Sequence, residues 1–175
     1  PVFDRQCILW DLNYFKYCFL KLAGADFSEQ ALEDDFVRLT DALVQEPADS
    51  FMFRDFQSRN IMVRAGEVWF IDYQGGRQGA LPYDVASLLY DAIVVIPEAY
   101  RTVEPGLFRH VFYRFVLVRL LQAMGAFGLR GLYERKPHFI DSIQPGLHSI
   151  DRLFQSGRLD ADYAEIRRVC RQLLE

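Results

Sequence analysis

The chain is poor in the residues that mark several special architectures. Three cysteines, Cys7, Cys18 and Cys170, are scattered through 175 residues with no CxxC pair, which excludes a disulfide framework. The odd, scattered count suggests a reducing, cytoplasmic setting, and Cys7 and Cys18, in an apolar stretch, read as buried thiols. The three histidines, His110, His138 and His148, lack the spacing of a metal site. No uninterrupted apolar run approaches the roughly 18 to 20 residues that cross a bilayer, and no signal-peptide pattern opens the chain, so no membrane partner is expected. Positive charge is not in excess: 20 Lys and Arg against 24 Asp and Glu leave a net −4, the wrong sign for a nucleic-acid footprint. Lysine is scarce too, with Lys16, Lys21 and Lys136 alone. Internal repeats and low-complexity tracts are missing too.

What is present is an ordinary globular composition, 51% hydrophobic and 25% charged, which excludes disorder and suffices for one domain with a core, or one domain plus an appendage. Residues 5–23 read as a helix apolar around most of its circumference, stopped by Gly24. Asp26 with Glu29 resembles a capping box, and Leu32, Phe36, Leu39 and Leu43 form an amphipathic stripe ended by Pro47. The period then changes. Residues 51–53 read as a short strand, and 61–63 with 68–71 as a hairpin turning at 64–67. A glycine-rich connection follows at 74–81, without the pattern of a phosphate-binding loop. Residues 83–96 and 107–127 read as helices, and Arg109, Arg114 and Arg119 fall at five-residue steps that rotate around the second, which reads as a scattered, solvated role. Pro145-Gly146 is expected to break two helical segments, and Asp160 or Asp162 to cap a last helix through Ile166, Val169 and Leu173. The fold class is therefore α+β, mostly helical, with a small hairpin sheet.

Chemistry concentrates in residues 51–73, FMFRDFQSRNIMVRAGEVWFIDY. Asp55 precedes Asn60 by five residues, and Asp72 follows Asn60 by twelve at the end of the hairpin. This is the order of a kinase catalytic loop and its metal-binding aspartate. Phosphoryl transfer needs one carboxylate to orient an acceptor hydroxyl, with an amide oxygen and a second carboxylate to hold Mg²⁺ on nucleotide phosphates. Asp55, Asn60 and Asp72 are the right types in the right order, at one edge of a small sheet.

With Ile71-Asp72-Tyr73 and Tyr83-Asp84-Val85-Ala86 added, the text resembles the aminoglycoside phosphotransferase/choline kinase-like family, over about residues 5–155. Within it, RDFQSRN at 54–60 is similar to the RDYHSRN loop of bacterial cell-wall sugar kinases acting on N-acetylmuramate and N-acetylglucosamine, and the segments 120–128 and 136–140 look similar to their helical subdomain. The resemblance implies a phosphotransferase that moves the γ-phosphate of ATP or GTP to a hydroxyl of a small molecule, a sugar before an aminoglycoside or choline-type alcohol. Asp55 would be the catalytic base, Asn60 and Asp72 the Mg²⁺ and nucleotide ligands, and Asp84 a structural acceptor. Residues 1–155 would form a kinase-like carboxy-terminal lobe, with the catalytic loop at 54–60, the metal loop at 72–76 and the helical subdomain at 98–155. Residues 156–175 would form a terminal helix.

Two departures accompany the likeness. Phe53 stands where the family has histidine. No glycine-rich strand pair or strand-borne lysine precedes the loop, since Lys16 and Lys21 lie in helical sequence. The chain reads as a fragment without the nucleotide-clamping lobe, and a non-catalytic kinase-like binding or regulatory module of a larger protein is the alternative. Assayed alone with Mg-ATP, the 175-residue chain is expected to show no turnover of N-acetylglucosamine or N-acetylmuramate. Phosphorylated sugar above a no-enzyme control would contradict this.

Overall fold

The computed structural model describes residues 1–91, 96–101 and 111–175. The expectations for Arg109 and His110, and for the helical stretches at 92–95 and 107–110, lie outside the described residues. Helices dominate, with two small antiparallel sheets, as an α+β chain should.

The organising pair is α1 (Arg5–Phe15) against α4 (Phe112–Phe127). Asp4 caps α1 by accepting from the Cys7 N–H at 3.0 Å. Both helices run on into π-helical turns, Lys16–Leu20 after α1 and Gly128–Tyr133 after α4. The axes come close because glycine faces the contact: a Cβ on Gly125 would lie 2.6 Å from the Tyr14 ring, and one on Gly128 would lie 1.9 Å from the Cys18 carbonyl oxygen. Leu12, Phe15, Phe19, Phe115, Leu117 and Leu121 are fully buried along this seam. Taken with its π turn, Phe112–Tyr133 is 22 residues long and apolar enough to cross a membrane by length and composition, although arginines interrupt any continuous apolar run. Its apolar window is 67% buried inside the protein, as a core helix would be.

α2 (Glu29–Leu43) buries the stripe read from the sequence, Leu32, Phe36, Leu39 and Leu43. Its cap is Ser28, whose hydroxyl accepts from the Ala31 N–H at 3.3 Å, rather than Asp26. After α4 come α5 (Pro137–Asp141), α6 (Ile143–Gln155) and α7 (Ala164–Gln172). Pro145-Gly146 lies inside the first turn of α6 and breaks nothing, because a proline there gives up an N–H that has no helical partner. The buried Gly146 approaches Met124 of α4. Neither Asp160 nor Asp162 caps α7. Asp35, buried on α2, accepts from the N–H groups of Glu165 and Ile166 at 2.9 and 3.0 Å, a cap supplied from 130 residues away. Asp160 instead takes both ends of the Arg114 guanidinium, at 2.9 and 2.7 Å.

The four strands among the described residues are short. β1 (Ser50–Met52) pairs with β4 (Arg77–Gly79), so part of the stretch read as a glycine-rich loop is a strand. β2 (Ile61–Arg64) and β3 (Glu67–Phe70) form the expected hairpin, with Ala65 and Gly66 at φ 51° and 82° in its turn. α3 (Pro82–Leu89) closes the set, starting with proline in its first turn and shorter than the helix expected at 83–96.

Gly128→Ala should lower stability by about 3 kcal/mol, because its methyl group would overlap backbone rather than a movable side chain. Gly24→Ala meets open space and should cost only the left-handed φ of 68°, about 1 kcal/mol. Urea midpoints of the two variants measure the contrast, and equal losses would contradict it.

Candidate active site

The loop after β1 is built on two consecutive residues with opposite demands. Phe53 is apolar and joins an aromatic group, with ring centroids 5.7 Å from Phe56 and 6.4 Å from Phe70, while Phe56 and Phe70 lie 5.4 Å apart. Apolar packing thus occupies the position where the resembled family has histidine. Arg54 is left-handed at φ 72°, a conformation that costs a non-glycine residue about 1 kcal/mol and needs enforcement.

Enforcement comes from two carboxylates. Asp84, in the first turn of α3, accepts the Phe53 N–H on one oxygen and the Arg54 N–H on the other, the latter at 2.8 Å. The Arg54 guanidinium lies 5.4 Å from the Phe3 ring centroid and donates to Asp11 of α1 at 2.5 Å. Asp11 also faces the Tyr83 hydroxyl at 3.5 Å. Burial pushes the carboxyls of Asp11 and Asp84 above their ordinary range. For Asp11 the Arg54 and Arg119 cations pull against that rise, and for Asp84 the two backbone N–H groups do. Burial opposes the Arg54 cation, but Asp11 and Tyr83 together more than offset it, so the guanidinium stays charged. Burial, with the Asp11 charge beside it, also pushes the Tyr83 phenol up and keeps it neutral.

On this base Asp55 presents a half-exposed carboxylate. Its carbonyl accepts from Asn60 Nδ2 at 2.8 Å and from the Gln57 N–H at 2.9 Å. Asn60 is buried, and with its Nδ2 committed, Oδ1 is the end available to a cation. The Ile71 N–H donates to the Asn60 carbonyl at 3.0 Å, which sets the next residue, Asp72, just beyond Asn60 on the far strand of the hairpin. Asp72 is exposed and left-handed at φ 67°. Asp55 and Asn60 are therefore brought into contact, and Asp72 sits one residue past a backbone bond to Asn60.

Asp55 also lies on an open pocket of about 270 Å³, walled by Leu120, Ala123, Phe127 and Phe139 and carrying polar groups from Gln122 and Asp91. That is near the lower end of the roughly 300–1,000 Å³ range of small-ligand pockets. Arg119 corrects the scattered role expected of the α4 arginines. It is buried, donates through Nε to Ser87 at 2.9 Å and through Nη1 to Gln122, and brings Nη2 to 3.5 Å from Asp55 Oδ1. The step of five does rotate the side chains, but the neighbouring elements give each its own carboxylate: Asp160 for Arg114 and Asp55 for Arg119. Asp11 went unread as well, although a lone carboxylate within an apolar helix signals a buried partner.

Removing Asp84 leaves two N–H groups without their acceptor, so Asp84→Ala should cost about 3 kcal/mol, and Asp84→Asn, which keeps one acceptor, distinctly less. Chemical denaturation of both variants measures this, and an Asp84→Ala variant as stable as the parent would contradict it.

No protein-family model matches the chain. Two curated relatives are similar over about half of it, both named N-acetylmuramate/N-acetylglucosamine kinase. The Neisseria meningitidis serogroup B protein is 33% identical over 98 residues, 54% of this chain and 29% of the relative. The Pseudomonas aeruginosa protein is 28% identical over 102 residues, 56% of this chain and 30% of the relative. The match thus spans less than a third of the length of either relative.

Proposed function

We propose that residues 1–155 are the acceptor- and metal-binding lobe of a nucleotide-dependent sugar kinase of the aminoglycoside phosphotransferase-like type, with residues 156–175 as a terminal helix. The observation that carries this reading is Asp55, braced through its backbone by Asn60 and turned into a monosaccharide-sized pocket. The names of the two relatives support a sugar as acceptor.

In this reading an acceptor hydroxyl donates to Asp55 Oδ2, the carboxylate oxygen that is not turned toward Arg119. Asp55 would orient the hydroxyl and take its proton as the bond to the γ-phosphorus forms and the bond to the departing nucleoside diphosphate breaks. Arg119 holds the carboxylate in one rotamer and places positive charge beside the reacting oxygen. The apolar wall of α4 excludes water from the sugar's other face.

The residues present suit Mg²⁺ and a nucleotide. Asn60 Oδ1 and the Asp72 carboxylate are hard oxygen donors. Among the described residues no three His, Cys, Asp or Glu side chains group into a metal cage. A magnesium site on nucleotide phosphates needs only one or two protein oxygens, with phosphate and water completing it. Such an ion would neutralise charge on the transferred phosphoryl group of ATP or GTP. The hairpin beside Asp72 exposes apolar side chains on both faces, Met62 and Trp69 on one and Val63, Val68 and Phe70 on the other, suited to a nucleotide base or a covering lobe.

Calorimetric titration of N-acetylglucosamine into the chain tests the acceptor reading. Binding is expected, and Asp55→Ala should weaken it at least tenfold, as loss of a hydrogen bond to a charged group does. No binding, or binding indifferent to Asp55, would overturn it.

A further inference from the structure

Three guanidinium groups line the Asp55 pocket, those of Arg59, Arg119 and Arg130. Two of them are already matched. Arg119 is held by Ser87, Gln122 and Asp55, and Arg130 lies 3.7 Å from the Glu134 carboxylate and 5.8 Å from the Phe139 ring centroid. The Arg59 side chain is exposed, and among the described residues it makes no hydrogen bond, ion pair or ring contact. Cations elsewhere do not fill its place. Lys16 is paired with Glu29 and Glu33, Lys21 with Glu29 and Lys136 with Glu134, while Arg54, the other arginine of the loop, is committed to Asp11. Among the described lining residues, Arg59 is the cation left without a counter-ion.

Its backbone, by contrast, is fixed on both sides. Ser58 donates its hydroxyl and its N–H to Asp91 Oδ2 at 2.9 and 3.3 Å. The Asn60 N–H donates to the Gln57 carbonyl at 2.9 Å, and Asn60 Nδ2 to the Asp55 carbonyl at 2.8 Å. Arg59 therefore stands on a braced turn, between the carboxylate that orients the acceptor and the amide that holds the metal. A phosphoryl group passing from nucleotide to acceptor travels between those two groups, with negative charge on its three outer oxygens. The Asp55 carboxylate repels that charge, and Arg119 is spent on Asp55.

We propose that Arg59 binds the γ-phosphoryl group and stabilises its charge during transfer. The proposal rests on the phosphotransferase reading above. A guanidinium presents its donors in a planar fork that matches two phosphate oxygens. As the acceptor oxygen bonds to phosphorus, the bond to the departing nucleoside diphosphate breaks and the hydroxyl proton passes to Asp55. Arg59 gives and takes no proton, since a guanidinium stays charged, and it acts by holding positive charge against the outer oxygens.

Calorimetric titration with Mg-ATP and Mg-ADP reads this contact without turnover, in the parent, in Arg59→Gln and in Arg59→Lys. The expected result is a preference of about tenfold for Mg-ATP in the parent and parity in Arg59→Gln. Arg59→Lys should keep part of the preference, because a point charge remains while the fork is lost. Urea midpoints should not move, since the side chain is exposed. Equal affinities for the two nucleotides in the parent, a full preference in Arg59→Gln, or equal weakening of both nucleotides would overturn the role of Arg59 alone. So would an Arg59→Gln variant that loses N-acetylglucosamine while keeping the preference, which would assign the arginine to the acceptor. Failure of the parent to bind either nucleotide would overturn the phosphotransferase reading and the role of Arg59 with it.

Discussion

The candidate site depends on one carboxylate holding two adjacent backbone N–H groups. Asp84 accepts from Phe53 and Arg54, and without that clamp the left-handed Arg54 would have no reason to persist. Reversing the chain at Arg54 lets the Phe53 ring enter the aromatic group while the next side chain, Asp55, points into the pocket. The Arg54 guanidinium answers from the other side by binding Asp11, so that α1, α3 and the loop form one electrostatic unit. Burial raises the cost of ionising both aspartates, and each is surrounded by donors that offset it.

The helical frame holds that unit at the right distance. α1 and α4 meet through Gly125 and Gly128, so the two elements that carry Asp11 and Arg119 approach more closely than side chains would allow. α4 supplies the pocket's apolar wall and the arginine beside Asp55. α3 supplies Asp84, Tyr83 and Ser87 from a single short helix. Three elements distant in sequence therefore meet at Asp55.

Local pattern was legible wherever chemistry is local. The alternation at 61–71 gave the hairpin, the stripe on α2 gave its buried face, and the Asp55, Asn60 and Asp72 order gave a site hypothesis, to which the family resemblance added a structural role for Asp84. What escaped was long-range. Nothing near residue 164 in sequence announces that Asp35 caps α7, because that acceptor arrives through tertiary packing. Five-residue spacing correctly separated Arg114 from Arg119, but spacing carries no information about which carboxylate waits on a neighbouring element. The strand at 77–79 was hidden by the glycines at 75, 76 and 79, since it exists only by pairing with β1. Proline at 145 was misread because its effect depends on its turn within a helix, which the sequence alone did not locate.

The central claim is that Asn60 and Asp72 hold a metal ion for nucleotide phosphates beside the Asp55 pocket. Affinity of the protein for ATP, measured with and without Mg²⁺ in the parent and in Asp72→Ala, tests it most directly. The account predicts binding that strengthens with Mg²⁺ in the parent and loses that dependence in the variant. Identical Mg²⁺-dependent binding in both proteins would contradict it.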